Sequence, residues 1–403
     1  MNVDPTLSSR LIEQENRYGA HNYHPLDVVC TRADGVYLWD VEGNRYMDFL
    51  AGYSAINQGH NHTRIAAAMV EQCLRLSLTS RAFRNDRLPP LLEKLCTLTG
   101  FDMALLMNSG AEAVETAIKA ARRWGYQHRH IPAGKAEIIA FNGNFHGRTT
   151  TLIGFSDNPE LMSGFGPFTP GFRLVPFGDL GAARAAVGPR TCAILVEPVQ
   201  GEAGVVVPPK GFLRGLRELC DQEQILLLAD EIQSGLGRTG RLLACQHEGI
   251  KADGLVLGKA LSGGFYPVSA FLASRELMEV FTPGSHGSTF GGNPLACAVA
   301  SAALDVLIEE RLVDRAAELG AYFLEQLRLL DSPHLQEIRG LGLWAGLQLR
   351  PEAGGARRFC EALRHQGLLV KETHEHTLRL APPLVITREQ LDWALEQLRI
   401  VLA

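Results

Sequence analysis

The sequence predicts an α/β protein: a large domain around a mostly parallel central sheet, joined to a smaller α+β domain. Three observations predict it. Short, continuous apolar runs recur at 104–107, 137–141, 193–196, 225–229, 254–257 and 268–272. Helical patterns lie between them, as at 111–124 and 212–224. The two ends of the chain break this rhythm and mix hairpin, helix and strand. Continuous apolar runs of strand length mark strands covered on both faces. Their alternation with helices marks a sheet assembled from βαβ units.

Each region supports that division. Residues 36–40 and 46–49 flank the turn Glu42-Gly43-Asn44, which predicts a hairpin. After Asn293 a helical pattern runs to about Glu310, followed by helix, strands, helix, a strand at 377–380 and a last helix from Thr387. The large domain is expected over 46–300, and the small one from 1–45 together with 301–403. No repeat, low-complexity tract or long linker interrupts the chain.

The composition excludes several function classes. The chain has 403 residues, a net charge of −5 and 46% hydrophobic residues, enough for a large core. No basic cluster suggests nucleic acid as a partner. The first twenty residues carry Asp4, Glu13 and Glu15 and no apolar stretch, unlike a secretory signal. No run is long enough to span a bilayer, so no membrane partner is expected. Eight cysteines lie scattered without a C-x-x-C pair, as free thiols of a reducing compartment do. A cytoplasmic enzyme is expected. His60/His62, His128/His130 and His374/His376 are pairs without an accompanying ligand cluster, so no metal is expected. His374 and His376 lie close in sequence to Arg379 and are candidates to line a substrate site.

Ligands of α/β sheets sit beyond the carboxyl ends of the strands. Asn108-Ser109-Gly110, Asn144 to Arg148, Glu197, Asp230 and Lys259 each follow one of five predicted strands. Lys259 follows the uncharged run Gly254-Leu255-Val256-Leu257. A lysine at a strand end is, taken alone, more often one that reaches for water. An apolar setting would instead lower its pKa and leave a neutral amine able to attack a carbonyl. Asp230 ends a strand and suits an acid held beside a protonated ring nitrogen, although a helix cap is the commoner role. Ser109-Gly110-Ala111 forms a small turn into a helix, a place for phosphate or for a simple cap. Two glycine patterns are set aside. Gly235-Leu236-Gly237-Arg238-Thr239-Gly240 matches G-x-G-x-x-G, but five residues separate it from the strand it should follow directly. Gly254 to Lys259 lacks the spacing and the Ser or Thr of a P-loop.

Leu227-Leu228-Ala229-Asp230-Glu231-Ile232-Gln233-Ser234-Gly235, then Gly258-Lys259-Ala260-Leu261-Ser262-Gly263-Gly264, resembles the signature of class III aminotransferases. These are fold type I enzymes that use pyridoxal 5'-phosphate, and the likeness extends over nearly the whole chain. The resemblance implies that Lys259 carries the cofactor and moves the proton, and that Asp230 binds the pyridinium nitrogen. It implies Gln233 near the ring hydroxyl, Phe145 stacked on the ring, and Ser109, Gly110 and Ala111 at the phosphate. Ser288 and Thr289 would reach the phosphate of a neighbouring subunit, which implies a homodimer or a dimer of dimers.

Within the family the chain is most similar to the ornithine-using branch. The segments are His21 to Leu26, Tyr53 to His60, Leu78 to Phe83, Gly201 to Val206, Tyr266 to Ala270 and Arg379 to Leu384. The small-molecule substrates implied are L-ornithine and 2-oxoglutarate. Tyr23 would accept from the ornithine α-ammonium and Arg148 would hold its α-carboxylate as a bidentate pair. Tyr53 would line the same site. Arg379 would take the α-carboxylate of 2-oxoglutarate and be neutralised by Glu202 until then. An ordinary structural salt bridge is the plainer reading of Glu202 and Arg379. Two local variants depart from the branch: His146 stands where tryptophan is frequent, and Ser109-Gly110-Ala111-Glu112 replaces Thr-Gly-Val-Glu. Acetylornithine, 4-aminobutyrate or a diamine as amino donor, or an aminomutase or decarboxylase on the same cofactor, are the alternatives.

Overall fold

The computed structural model describes residues 6–403; the part of the predicted small domain at 1–5 lies outside them. The first sheet begins with β1 (Cys30–Asp34), β2 (Tyr37–Asp40) and β3 (Arg45–Asp48), each antiparallel to the next. The predicted hairpin joins β2 to β3. Asp40 organises its turn: one carboxylate oxygen accepts from the Asn44 N–H at 2.8 Å, the other from the Tyr46 hydroxyl at 2.9 Å.

The central sheet contains β4 (Met103–Met107), β5 (Glu137–Phe141), β6 (Phe172–Val175), β7 (Thr191–Val196), β8 (Leu226–Asp230), β9 (Gly254–Leu257) and β10 (Ser269–Ala273). Their order is β4-β10-β9-β8-β7-β5-β6. The ladders β6–β5–β7–β8–β9 are parallel, and β10 runs antiparallel to both β9 and β4. Every residue of β7, β8, β9 and β10 is buried, which is why these strands read as unbroken apolar runs. The edge strand β6 was not expected. Its Arg173 and Leu174 are exposed, so its apolar signal is short and mixed. Helix Gly110–His128 packs against β7, β9 and β10. Ser109 caps it through a capping box with Glu112.

Helix Pro294–Glu309, capped by Asn293, leads into the last third. There β11 (Leu335–Gly340), β12 (Ala345–Leu349), β14 (Lys371–Thr373) and β15 (Thr377–Leu380) form an antiparallel sheet in the order β11-β12-β15-β14. The short strand β13 (Leu368–Leu369) instead joins β3 in parallel, so both ends of the chain share one sheet. Helix Arg388–Leu402 starts at the Thr387 cap, as the sequence predicts.

One contact sets the spacing between these parts. A methyl group on Gly320, in helix Leu312–Arg328, would fall on the Gly342 backbone. Gly342, at φ +63°, is pressed in turn against the backbone of Arg238 and Thr239. The backbones meet only because neither residue carries a Cβ.

Candidate active site

A parallel sheet sends all its carboxyl ends to one side. Asn108 follows β4, Asn144 to Arg148 follow β5, Glu197 follows β7, Asp230 ends β8 and Lys259 follows β9. The five predicted strand-end groups therefore share one edge.

Asp230 is 4% exposed. One carboxylate oxygen accepts from the Ile232 N–H at 3.1 Å, and the other from His146 Nδ1 at 2.7 Å. Burial disfavours the imidazolium of His146, but the Asp230 hydrogen bond and charge outweigh it and raise its pKa. The imidazole fixes the orientation of the Asp230 carboxyl group. Behind them, burial drives the Glu197 carboxyl up to about 8, so at neutral pH it is mostly uncharged. Glu197 accepts from the Phe145 N–H at 2.9 Å and so fixes that backbone. Sequence reasoning placed Glu197 at the strand end but gave it no task, and saw His146 only as a variant. The distance in sequence hides the His146–Asp230 pair.

Lys259 opens a short 3-10 turn and adopts φ +42°, a conformation that disfavours a side chain. Backbone strain of this kind concentrates at functional sites. Most of its side chain is enclosed, and it remains partly accessible through a cavity of about 370 Å³ shared with Asn108, Ser109 and Gly110. Burial, reinforced by the charge of Arg379, lowers its pKa to about 8. Gly110 leaves room beside it: a Cβ there would stand 2.9 Å from the Ile232 terminal methyl, which would have to shift. The free N–H groups of the first helical turn, which includes Ala111, open at this point, as a phosphate cradle demands. Ser288 lies alongside: its hydroxyl accepts from Asn108 Nδ2 at 2.8 Å. Thr289 and Phe290 next to it are exposed.

A larger cavity, about 850 Å³, is lined by Tyr23, Tyr53, Phe145, Arg148, Glu202 and His374, among others. His376 is not part of that wall. Tyr23 and Arg148 are exposed, Tyr23 by 73%. The Arg148 guanidinium stands 5.5 Å from the centre of the Phe145 ring. Behind Glu202 lies Arg379, with its side chain 1% exposed and Nη1 2.9 Å from the Glu202 carboxylate. Its guanidinium faces the rings of Tyr53 and Trp344, 5.1 and 5.2 Å from their centroids. Among the described residues, Nε and Nη2 of Arg379 have no hydrogen-bond partner. Such buried donors are costly unless a ligand meets them. Gln233 reaches Glu202 through a long 3.4 Å contact, and its own carbonyl oxygen is buried without a partner. The Thr373 hydroxyl donates to the Glu202 backbone carbonyl and so ties β14 to the same loop.

These residues fit pyridoxal phosphate. A buried aspartate held by an imidazole, an amine of lowered pKa, a helix start that opens into a cavity and an unpartnered glutamine carbonyl oxygen lie along one edge. Among the described residues, no helix is long and apolar enough to cross a membrane.

Comparison with known proteins agrees. The family model "Aminotransferase class-III" matches residues 18–402. An ornithine aminotransferase of Bordetella pertussis is 61% identical over 389 residues, covering 96% of this chain and 94% of the relative. A solved ornithine aminotransferase of Toxoplasma gondii, with PLP at partial occupancy in its active site, superposes with a TM-score of 0.97. It is 44% identical, over 98% of this chain and 94% of that one. A solved acetylornithine aminotransferase of Elizabethkingia anophelis is 47% identical, with a TM-score of 0.90 over 99% of each chain. With the family model matched over residues 18–402 and a relative 61% identical over 96% of the chain, this chain belongs to the class III aminotransferases.

Proposed function

We infer that the protein transfers the δ-amino group of L-ornithine to 2-oxoglutarate, giving glutamate 5-semialdehyde, which cyclises to pyrroline-5-carboxylate, and glutamate. Pyridoxal phosphate is the cofactor; it supplies the carbon that takes up the amino group and a ring that accepts the electrons of the broken C–H bond. The observation that carries the substrate assignment is the ion pair of buried Arg379 with Glu202, which lines the large cavity.

The two substrates place opposite demands on one site. Ornithine must present its δ-amine and keep its α-amino acid end away. Arg379 held by Glu202 offers no attraction to that α-carboxylate, while Arg148 and Tyr23 at the outer wall can take the carboxylate and the ammonium. 2-Oxoglutarate brings two carboxylates. Arg148 takes the distal one, and Arg379, once Glu202 releases it, takes the other with the Nε and Nη2 donors that now lack partners.

Lys259 does the proton work. With a pKa near 8, about a tenth of its amines are neutral at pH 7. Neutral, its Nζ accepts a proton from the substrate carbon; charged, it returns one. Asp230, oriented by His146, would hold the ring nitrogen protonated, and Phe145, its backbone fixed by Glu197, would stack on the ring. Gln233 would serve the ring oxygen, and Gly110 with Ala111 the phosphate. Exposure of Thr289 and Phe290 supports a second copy of the chain covering that loop, with Ser288 and Thr289 serving the partner's phosphate.

The test is a single half-reaction. Purified holoenzyme is mixed separately with L-ornithine, acetylornithine and 4-aminobutyrate, and the cofactor's visible absorption is followed. Loss of the absorption with ornithine alone is expected. Loss with acetylornithine while ornithine is inert would overturn the donor assignment.

A further inference from the structure

Arg238 is fully buried, at 0% exposure, and takes no part in the chemistry above. It sits in Gly235-Leu236-Gly237-Arg238-Thr239-Gly240, the glycine pattern that does not fit a dinucleotide. Among the described residues its guanidinium contacts no carboxylate; only neutral oxygens meet it. Nη2 donates to Asn57 Oδ1 at 2.6 Å, and Nη1 to the carbonyls of Leu343 at 2.9 Å and Pro382 at 2.7 Å. Nε has no partner. A buried cation met only by dipoles is costly to keep. Burial, with the charge of Arg379 added, lowers its pKa to about 9, partly offset by Asp48, so it stays charged at neutral pH.

Its three acceptors indicate what it serves. Leu343 precedes Trp344, whose ring faces Arg379. Pro382 lies three residues after Arg379, just beyond β15. Asn57 lies four residues after Tyr53, the other ring beside Arg379. One guanidinium thus ties together the three stretches of backbone that carry Arg379 and its aromatic walls. Gly342, packed on the Arg238–Thr239 backbone, holds the junction tight. Arg379 is paired with Glu202, whereas among the described residues Arg238 has no ion-pair partner and only the more distant Asp48 to offset its charge. The neutralised resting pair therefore still leaves the partly offset positive charge of Arg238 behind the pocket.

We propose that Arg238 is a positioning residue for the second substrate: it holds the Arg379 pocket in shape and supplies a second buried positive charge that favours entry of the 2-oxoglutarate α-carboxylate. The inference rests on the reading of Arg379 as the site of that carboxylate. In the ornithine half-reaction the pocket is closed by Glu202, so the charge of Arg238 acts chiefly on the oxo-acid half.

Three variants of the holoenzyme test it: Arg238→Met, Arg238→Lys and Asn57→Asp. The last sets a carboxylate against Nη2 and neutralises the charge while the arginine stays in place; it gives up the 3.0 Å bond from Asn57 Nδ2 to the Leu236 carbonyl. Calorimetry reads the affinity for glutarate, a dicarboxylate that cannot react. Rapid mixing reads the two half-reactions separately, and melting temperature confirms the fold. Arg238→Met and Asn57→Asp are expected to weaken glutarate about tenfold, the size of one lost charge-assisted contact. The 2-oxoglutarate half-reaction should weaken by the same factor and the ornithine half-reaction by much less, with Arg238→Lys recovering part of the loss. Equal loss in both half-reactions, or unchanged glutarate affinity in Asn57→Asp, would overturn the proposal. If Arg238→Met does not fold, Asn57→Asp and Arg238→Lys carry the same comparison. Wild-type enzyme that converts ornithine but does not bind glutarate would overturn the assignment of Arg379, and this inference with it. Glutarate bound equally by wild type and variants would overturn this inference alone.

Discussion

Replacing Lys259 with methionine should stabilise the apoenzyme at neutral pH. The free amine titrates near 10.5 and the folded one near 8. At about 1.36 kcal/mol per tenfold in proton affinity, the gap is roughly 3 kcal/mol. Lys259 stays partly open to its cavity, so this is an upper value. Below pH 8 the amine is charged in both folded and unfolded chains, and the folded state bears the full cost. Between pH 8 and 10.5 the unfolded chain binds more protons, so wild-type stability rises with pH. Above 10.5 the cost is gone. Spread over 403 residues, with an unfolding entropy of about 2.1 cal/mol/K each, the difference corresponds to roughly 3–4 °C in melting temperature. The assay is thermal melting of both apoenzymes from pH 7 to pH 10. Lys259→Met should melt higher at pH 7, with the advantage shrinking as pH rises. An advantage independent of pH would reflect the methionine's apolar contacts alone. Either that result or equal melting at pH 7 would refute the reasoning.

Glu202→Gln leaves Arg379 buried without its anionic partner, so the ratio of glutamate to ornithine half-reaction rates should rise by at least about tenfold; an unchanged ratio in rapid mixing would contradict the gating role. Tyr23→Phe removes one hydrogen bond to a charged group, worth about 1.5–3 kcal/mol. Its ornithine kcat/KM should fall about 10- to 100-fold while the 2-oxoglutarate half-reaction holds. His146→Phe strips Asp230 of a buried donor, at a cost of about 1–3 kcal/mol; equilibrium dialysis should show weaker cofactor retention, and retention equal to wild type would count against it. Gly320→Ala forces a methyl onto the Gly342 backbone and should lower the melting temperature, with a cost of about 1–3 kcal/mol.

Much of this protein could be read before folding. Strands β5 and β9 lie where the apolar runs put them, and β4, β7, β8 and β10 within a few residues. Burial on both faces leaves little room for polar residues, so the pattern is strong. Lys259, Asp230 and the Ser109-Gly110 turn were also legible, because a parallel sheet delivers each strand end to the same edge. The edge strand β6 was not, since half of it meets water. Nor was the task of Arg238, whose glycine pattern suggested only a failed nucleotide site.

What the sequence by itself determined was local order: which segments bury both faces, where helices are capped, and which chemical groups end each strand. The tertiary structure alone decided which distant groups meet. His146 and Asp230 are 84 residues apart, Glu202 and Arg379 are 177 apart, and Arg238 and Asn57 are 181 apart. Their contacts arise from the crossing of strands and the close approach of glycine backbones. The lowered pKa values of Arg238 and Arg379 follow from burial that no local pattern records.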